Sequence, residues 1–137
     1  MNYSAIEARI NRSQLKQLAG NFYQDKNSLI IQQFEKDGCS VLFGIKKNDS
    51  TYTLVGEKKV YYSSEEGKKS QLDLVRFTNL LRKNARLLRK KGNFEYLHIG
   101  ESDSIWMHNG STMSSIWNVI LFINEINEKE SSVPPQK

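Results

Sequence analysis

Several kinds of residue are scarce in this sequence of 137 residues, and each scarcity excludes a class of protein. There is one cysteine, Cys39, so no disulfide can form within the chain, and we expect a small buried side chain there. The sequence contains no run of eighteen apolar residues, which is about the length needed to span a bilayer. The N-terminus lacks the basic and apolar regions of a secretory signal. We therefore expect a soluble, cytoplasmic protein with no membrane partner.

Proline is also scarce, and both prolines lie near the C-terminus, at positions 134 and 135. We predict that residues 128–137 are a disordered tail. Residues 1–127 then form a single domain, because this length matches the common size of one domain. The hydrophobic fraction of 38% is ordinary for a globular protein, so a chain disordered throughout is not expected.

Acidic residues are missing from the segment between Leu74 and Gly92, which contains seven basic residues. The whole chain has a net charge of +5, yet its remainder has 13 basic and 15 acidic residues. The positive excess is therefore local to this one segment. A local excess of one sign is the strongest functional indication in the sequence.

The spacing of apolar residues predicts three helices, over residues 4–23, 70–91 and 112–127. The first helix could be broken near Asn11, with Asn11 or Ser13 capping a second piece. Ser111 or Thr112 is the expected cap of the last helix. That helix is apolar nearly all round, so we expect it to be buried in the core or in a partner.

Runs of β-branched and aromatic residues predict strands over residues 29–35, 39–45, 52–55, 60–62, 94–99 and 104–108. Asp37-Gly38 is read as a hairpin turn, residues 47–50 as a second turn and residues 63–69 as a loop. The predicted fold is α+β, with an antiparallel sheet of about five to six strands and three helices. The order of elements is α-β-β-β-(β)-α-β-β-α.

The helix predicted over residues 70–91 has two sides of opposite character. The apolar side consists of Leu74, Phe77, Leu80, Leu81, Leu87 and Leu88. The basic residues on an arc of about 140° opposite to it are Arg76, Arg82, Lys83, Arg86, Arg89 and Lys90. Exposed helix faces usually mix charges, because opposite charges three or four residues apart stabilise a helix. We predict that these six residues bind phosphates, although a solvated face or pairing with acidic residues elsewhere would give the same pattern.

Aromatic residues on the predicted strands could add a stacking surface for unpaired bases, and the same residues could equally fill the core. They are Phe34, Phe43, Tyr52, Tyr61, Tyr62, Phe94, Tyr96 and Trp106, with Lys46, Lys47, Lys58 and Lys59 nearby. Tyr61 and Tyr62 should point to opposite faces of the sheet. No signature of a known nucleic-acid-binding motif is present.

Other polar residues do not predict catalysis. The segment 108–112 places Asn-Gly-Ser-Thr before a helix, and capping is the expected role of this segment. His98 and His108, with Glu101 and Asp103 between them, do not have the spacing of a metal site. We expect no enzyme activity, no metal and no cofactor, since no nucleophile motif is present either.

The leading hypothesis is a small non-catalytic nucleic-acid-binding protein. The alternative is a protein-interaction module, such as a chaperone, an inhibitor or an immunity-type protein, whose last helix packs across a homodimer or against a client. An acidic protein partner is the alternative to nucleic acid for the basic helix. The order of elements resembles that of secretion-chaperone domains, which are small homodimers that wrap a partner's unfolded segment. Those domains tend to be acidic, which this chain is not.

Overall fold

The computed structural model describes residues 1–64, 68–90, 95–99 and 103–132, apart from the side chains of residues 85–90 and 132. Its helices are α1 (Tyr3–Arg12), α2 (Leu15–Ala19), α3 (Leu29–Lys36), α4 (Leu74–Lys90) and α5 (Gly110–Ser132). Its strands are β1 (Tyr23–Gln24), β2 (Val41–Asn48), β3 (Thr51–Gly56), β4 (Lys59–Ser64), β5 (Lys68–Asp73), β6 (Tyr96–Ile99) and β7 (Asp103–Trp106). None of the described helices is long and apolar enough to cross a bilayer.

The first predicted helix is present as two pieces, α1 and α2, which confirms the expected break. The break occurs at Gln14, whose backbone is left-handed with a φ of 60°. Ser13 does not cap the second piece, because its hydroxyl donates back to the carbonyl of Arg9 at 3.0 Å. The side chain of Asn2 caps α1 instead, accepting a hydrogen bond from the amide of Ala5 at 3.0 Å.

Residues 29–36 form helix α3, so the strand predicted at residues 29–35 is wrong. Ile30 and Ile31 lie on the same side of this helix as Phe34, because they precede it by four and three residues. That face packs on one side of the sheet, against Val41, Tyr52 and Leu54. The β-branched composition favoured a strand, and packing against the sheet decided otherwise.

The pair Asp37-Gly38 ends helix α3, so the hairpin predicted there is also wrong. Gly38 has a φ of 86°, in the left-handed region that favours glycine. Its amide donates to the carbonyl of Glu35 at 3.0 Å, and the amide of Cys39 donates to that of Phe34 at 2.9 Å. These two bonds form a Schellman cap, which uses the same tolerance of positive φ that suggested a hairpin.

The main sheet has five antiparallel strands in the order β1-β2-β3-β4-β5. The turn predicted at residues 47–50 is confirmed, since β2 and β3 are joined through Asp49-Ser50. Strand β5 corrects two predictions, because Lys68–Asp73 lies partly in the expected loop and partly in the expected first turn of a helix. It has a single buried side chain, Leu72, so its sequence lacks the apolar alternation of a strand.

Both faces of the sheet are covered, but unequally. The larger core cluster contains Phe43, Ile45, Val55, Val60 and Tyr62 on one face, packed against residues of α1, α2, α4 and α5. The smaller cluster lies under α3 on the other face. Strand β2 contributes to both clusters because an irregularity in its pairing between Val41 and Phe43 reverses the alternation of its side chains.

Strands β6 and β7 pair with each other, as predicted, and form a separate two-stranded sheet. This small sheet lies over the larger core cluster. The hydroxyl of Thr53 donates to the carbonyl of Trp106 at 2.5 Å. The hydroxyl of Tyr62 donates to the carboxylate of Asp103 at 2.7 Å. Two strands of the main sheet, β3 and β4, are thereby attached to β7.

Helix α5 is buried, as its sequence predicts, and it packs within its own chain. Ile116, Val119, Ile120 and Ile123 are buried in the larger core cluster. Its cap is Asn109 and not Ser111 or Thr112, because the side-chain oxygen of Asn109 accepts from the amide of Thr112 at 2.8 Å. The helix continues to Ser132, which corrects the start of the tail predicted at residue 128. Residues 133–137 lie outside the described residues.

The predicted α+β class is confirmed, with differences in the number and order of elements. Five helices are described in place of three, and the sheet is divided into five strands and two. The observed order is α-α-β-α-β-β-β-β-α-β-β-α. It differs from the order that resembled secretion chaperones, since helix α3 precedes β2 and strand β5 precedes α4.

Candidate nucleic-acid interface

Helix α4 is amphipathic in the structure as in the sequence. Leu74, Phe77 and Leu81 are fully buried in the larger core cluster, and Leu80 is half-buried. The remaining predicted apolar residues, Leu87 and Leu88, have side chains outside the described set. The burial of one side fixes which residues of α4 face outward.

Three polar contacts hold the first half of α4 in place. The amide of Leu74 donates to the carbonyl of Lys58 at 2.9 Å, which ties the start of the helix to the turn between β3 and β4. The hydroxyl of Thr78 donates to the carbonyl of Leu74 at 2.7 Å and accepts from the side-chain amide of Asn124 at 2.9 Å. This chain of bonds fixes the helix against α5, so its outer face has a defined orientation.

Arg76, Arg82 and Lys83 are exposed on the outer face, as predicted. Among the described side chains, no ion pair involves any of the three. The guanidinium of Arg82 lies 6.0 Å from the centre of the Trp117 ring, at the boundary with α5. Arg86, Arg89 and Lys90 belong to the same helix, and their side chains lie outside the described set. We call the six residues together the α4 basic face.

Lysines elsewhere behave differently, since several are paired with carboxylates. Lys16 contacts Glu7 at 2.5 Å, and Lys46 contacts Asp49 at 2.9 Å. Lys47 contacts Glu95 at 3.0 Å, and this hydrogen bond is the main cause of the lowered pKa of Glu95. Lys46 and Lys47 are thus engaged within the fold and do not extend a phosphate-binding surface.

Two further lysines extend the basic surface beyond the start of α4. Lys58 and Lys59 are exposed at the turn between β3 and β4, directly beside the first turn of α4. Lys59 and Arg76 line one shallow depression of about 170 Å³, together with Gln71, Leu72 and Asp73. In the sequence these lysines lie next to the predicted aromatic strands. Their position beside α4 depends on the order of strands in the sheet, which the sequence alone does not predict.

The strand aromatics do not form a stacking surface. Phe43, Tyr52, Tyr62 and Trp106 are buried, so they cannot stack on a base. Phe34 lies on α3 and not on a strand, and Phe94 is outside the described residues. Tyr61 and Tyr62 point to opposite faces as predicted, and Tyr61, which packs near Phe34, is only half-buried. Tyr96 is also half-buried, packed against the larger core cluster, so none of the predicted aromatics is fully exposed on the described strands.

A groove of about 750 Å³ runs between α4 and the last turns of α5. Arg82 and Val75 line it on one side, and Glu125 and Glu128 on the other. Val75 is one of three large hydrophobic side chains that are exposed in the described part of the chain. Because the groove has both signs of charge, it suits a phosphate less well than the α4 basic face does.

The alternative hypothesis, a protein partner packed on α5, was based on the apolar side chains around this helix. Most of that surface is covered by α1, α2 and α4 of the same chain. Trp117 and Phe122 are half-buried, and basic side chains cover them in part, since the guanidinium of Arg9 lies 4.8 Å from the centre of the Phe122 ring. The apolar character of α5 is thus explained by packing within one chain.

The remaining polar residues, which were considered as metal ligands or catalytic groups, either have structural roles or do not lie together in one site. His108 has a left-handed backbone with a φ of 72°, and it precedes the Asn109 cap. Asp103 accepts from Tyr62, while Glu101 is outside the described residues. Within the described ranges, no three of the histidine, cysteine and acidic side chains are grouped as metal ligands would be.

Comparison with protein-family models, with curated proteins and with solved structures finds no match to this chain.

Proposed function

We propose that this protein is a small non-catalytic nucleic-acid-binding protein that holds phosphates on the α4 basic face. The observation that carries the proposal is the single sign of charge on that face. Arg76, Arg82 and Lys83 are exposed and enter no ion pair among the described side chains. We also propose a cytoplasmic location, because a chain with one cysteine suits a reducing compartment.

The proposed mechanism is electrostatic. Each arginine or lysine that approaches a phosphate displaces a condensed counterion, and the released counterions supply the binding free energy. Contacts of this kind fix the position of the protein on the strand but do not read bases. Because the strand aromatics are mostly buried, we expect little sequence preference.

Fluorescence anisotropy with labelled single-stranded and double-stranded oligonucleotides tests this proposal. Binding should weaken steeply between about 50 and about 200 mM salt, by about a thousandfold if six or more phosphates are contacted. Replacing Arg82, Arg86 and Arg89 by glutamate should abolish binding. Circular dichroism would check that the helix remains folded.

A matched control reverses three exposed basic residues on other elements. Arg12, Lys26 and Lys36 are exposed and lie outside α4, so their replacement by glutamate changes the net charge by the same amount. This control should keep most of the affinity. Equal losses in both variants would show that net charge matters and that the α4 basic face is not the site. No binding by the wild type even at low salt would remove the proposal, and a pull-down for an acidic protein partner would follow.

A further inference from the structure

Strand β5 forms a long outer edge of the main sheet. It has six residues, and among the described strands it pairs only with β4. The opposite edge strand, β1, has two residues. An edge strand presents backbone donors and acceptors that can pair with a further strand.

The hydrogen-bond register shows which residues of β5 face outward. Lys58 and Leu74 are joined by a backbone bond of 2.9 Å, and Lys59 lies opposite Asp73 in the next pair. In an antiparallel ladder, bonded and non-bonded pairs alternate. Ser70 and Leu72 therefore bond to β4. The backbone groups of Lys69, Gln71 and Asp73 point away from it, toward the free edge.

The three outward residues form a charge pattern that is complementary to itself. Lys69 and Asp73 lie two residues to either side of Gln71, and all three side chains are exposed. They share one face of the sheet, because they alternate along the strand. An antiparallel copy of the strand, centred on Gln71, would place Lys69 opposite the partner's Asp73.

We propose that β5 pairs with β5 of a second copy of this chain, with a two-fold axis at Gln71. Three hydrogen-bonded residue pairs form in this register, and opposite charges meet at both ends. A shift of two residues removes one of the three pairs and separates the charges. Parallel pairing would place each lysine against a lysine, which is unfavourable.

A second copy is favoured over an unrelated peptide because β5 itself contains both charges. A two-fold axis at Gln71 places each Lys69 opposite an Asp73 without any other partner sequence. Lysine on an edge strand normally discourages pairing. Here the carboxylate of the partner's Asp73 neutralises the charge of Lys69. Of these registers, only the one centred on Gln71 forms this pair at both ends of the strand. The two sheets would join into one of ten strands. Both α4 helices would then lie on the same face of the joined sheet, because the two-fold axis is perpendicular to it.

Sedimentation equilibrium over a range of protein concentrations tests the dimer. The wild type should dimerise. Lys69→Asp places a carboxylate opposite the partner's Asp73 at both ends, so the dimer dissociation constant should rise by about tenfold or more. A wild type that stays monomeric up to high micromolar concentration would overturn the proposal.

A charge-exchange variant provides the matched control. Lys69→Asp combined with Asp73→Lys restores opposite charges across the two-fold axis. Because residues 59 and 73 lie opposite each other in the register of β4 and β5, Lys59→Asp is added so that two lysines do not face each other there. This triple variant has the same net charge as Lys69→Asp alone. It should recover the wild-type dissociation constant, and failure to recover it would overturn the register.

A covalent test does not depend on charge. Residues of a hydrogen-bonded antiparallel pair have Cα atoms about 5.5 Å apart, a distance that a disulfide can span. Gln71→Cys in a Cys39→Ser background should form a disulfide-linked dimer on mild oxidation, and Val75→Cys in that background should not. Linkage through both variants to the same extent, or through Val75→Cys alone, would count against pairing at β5.

Discussion

At the scale of single residues, Tyr62 shows how burial changes a side chain's chemistry. Its side chain is only 4% exposed, and its hydroxyl donates to Asp103, which ties β4 to β7. Burial and then the Asp103 carboxylate disfavour the ionised phenol, and together they raise the pKa of Tyr62 to about 12. The neutral phenol is therefore part of the folded state.

This shift predicts a loss of stability at high pH. In the unfolded chain Tyr62 loses its proton near pH 10, whereas in the folded chain it keeps the proton until about pH 12. The free energy of unfolding should thus fall as pH rises between these values, by on the order of 2 kcal/mol from this residue. Urea unfolding at several pH values measures this slope.

Tyr62→Phe is the control for this prediction. It cannot ionise, so its slope between pH 10 and pH 12 should be smaller than that of the wild type. A slope should remain, because burial also raises the pKa of Tyr23 and Tyr52. Identical slopes for the two proteins would contradict the assignment to Tyr62. At neutral pH the variant should lose about 1 kcal/mol with the hydrogen bond.

Residues of the proposed site were only partly predictable. The outward positions of Arg76, Arg82 and Lys83 follow from the 100° step between successive residues of a helix, so the residue spacing alone predicts them. Lys58 and Lys59 join the same surface only because β4 pairs with β5 and β5 leads into α4. A contact between distant parts of the chain has no local signal.

At the scale of elements, α3 gives a direct test of helix against strand. In a strand, Leu29 and Ile31 would lie on the same face. In α3 they lie on different sides, and Leu29 is 77% exposed whereas Ile31 is fully buried. Ile31→Ala should therefore destabilise the protein by about 2–5 kcal/mol. Leu29→Ala should change stability by less than about 0.5 kcal/mol.

Urea unfolding of both variants decides between the two structures. Similar losses for Leu29→Ala and Ile31→Ala would support the strand and contradict α3. The sequence did not separate them, because Ile30, Ile31 and Phe34 suit a helix face while their β-branched and aromatic types favour a strand. The docking of this face on Val41, Tyr52 and Leu54 made the difference.

At the scale of the whole molecule, the two proposals together predict stronger binding to long nucleic acids. A dimer would present two α4 basic faces on one side, so a long duplex could contact both. The triple variant Lys59→Asp, Lys69→Asp, Asp73→Lys should bind a long duplex at least about tenfold tighter than Lys69→Asp alone. Both variants carry the same net charge. Short oligonucleotides, which reach one face, measure the direct effect of exchanging the charges of Lys59 and Asp73 beside α4. The gain from dimerisation is the ratio of long-duplex affinity to short-oligonucleotide affinity, which should be at least about tenfold larger in the triple variant.

Anisotropy with short and long duplexes measures this difference. Equal ratios of long-duplex to short-oligonucleotide affinity in the two variants would mean that dimerisation does not contribute to binding. Loss of binding by both would instead place Lys69 itself in the site. The dimer can be correct without this avidity, since sedimentation tests it separately.

The sequence by itself determined the features that depend on local periodicity and composition. These are the amphipathic helix α4 with its basic face, the buried helix α5, the broken first helix and the central strands β2–β4. The tertiary structure decided the features that depend on packing between distant segments. Docking on the sheet made residues 29–36 a helix, and pairing with β4 made the polar segment Lys68–Asp73 an edge strand. The physical reason is that a segment with few or ambiguous apolar residues takes its conformation from the surface it contacts.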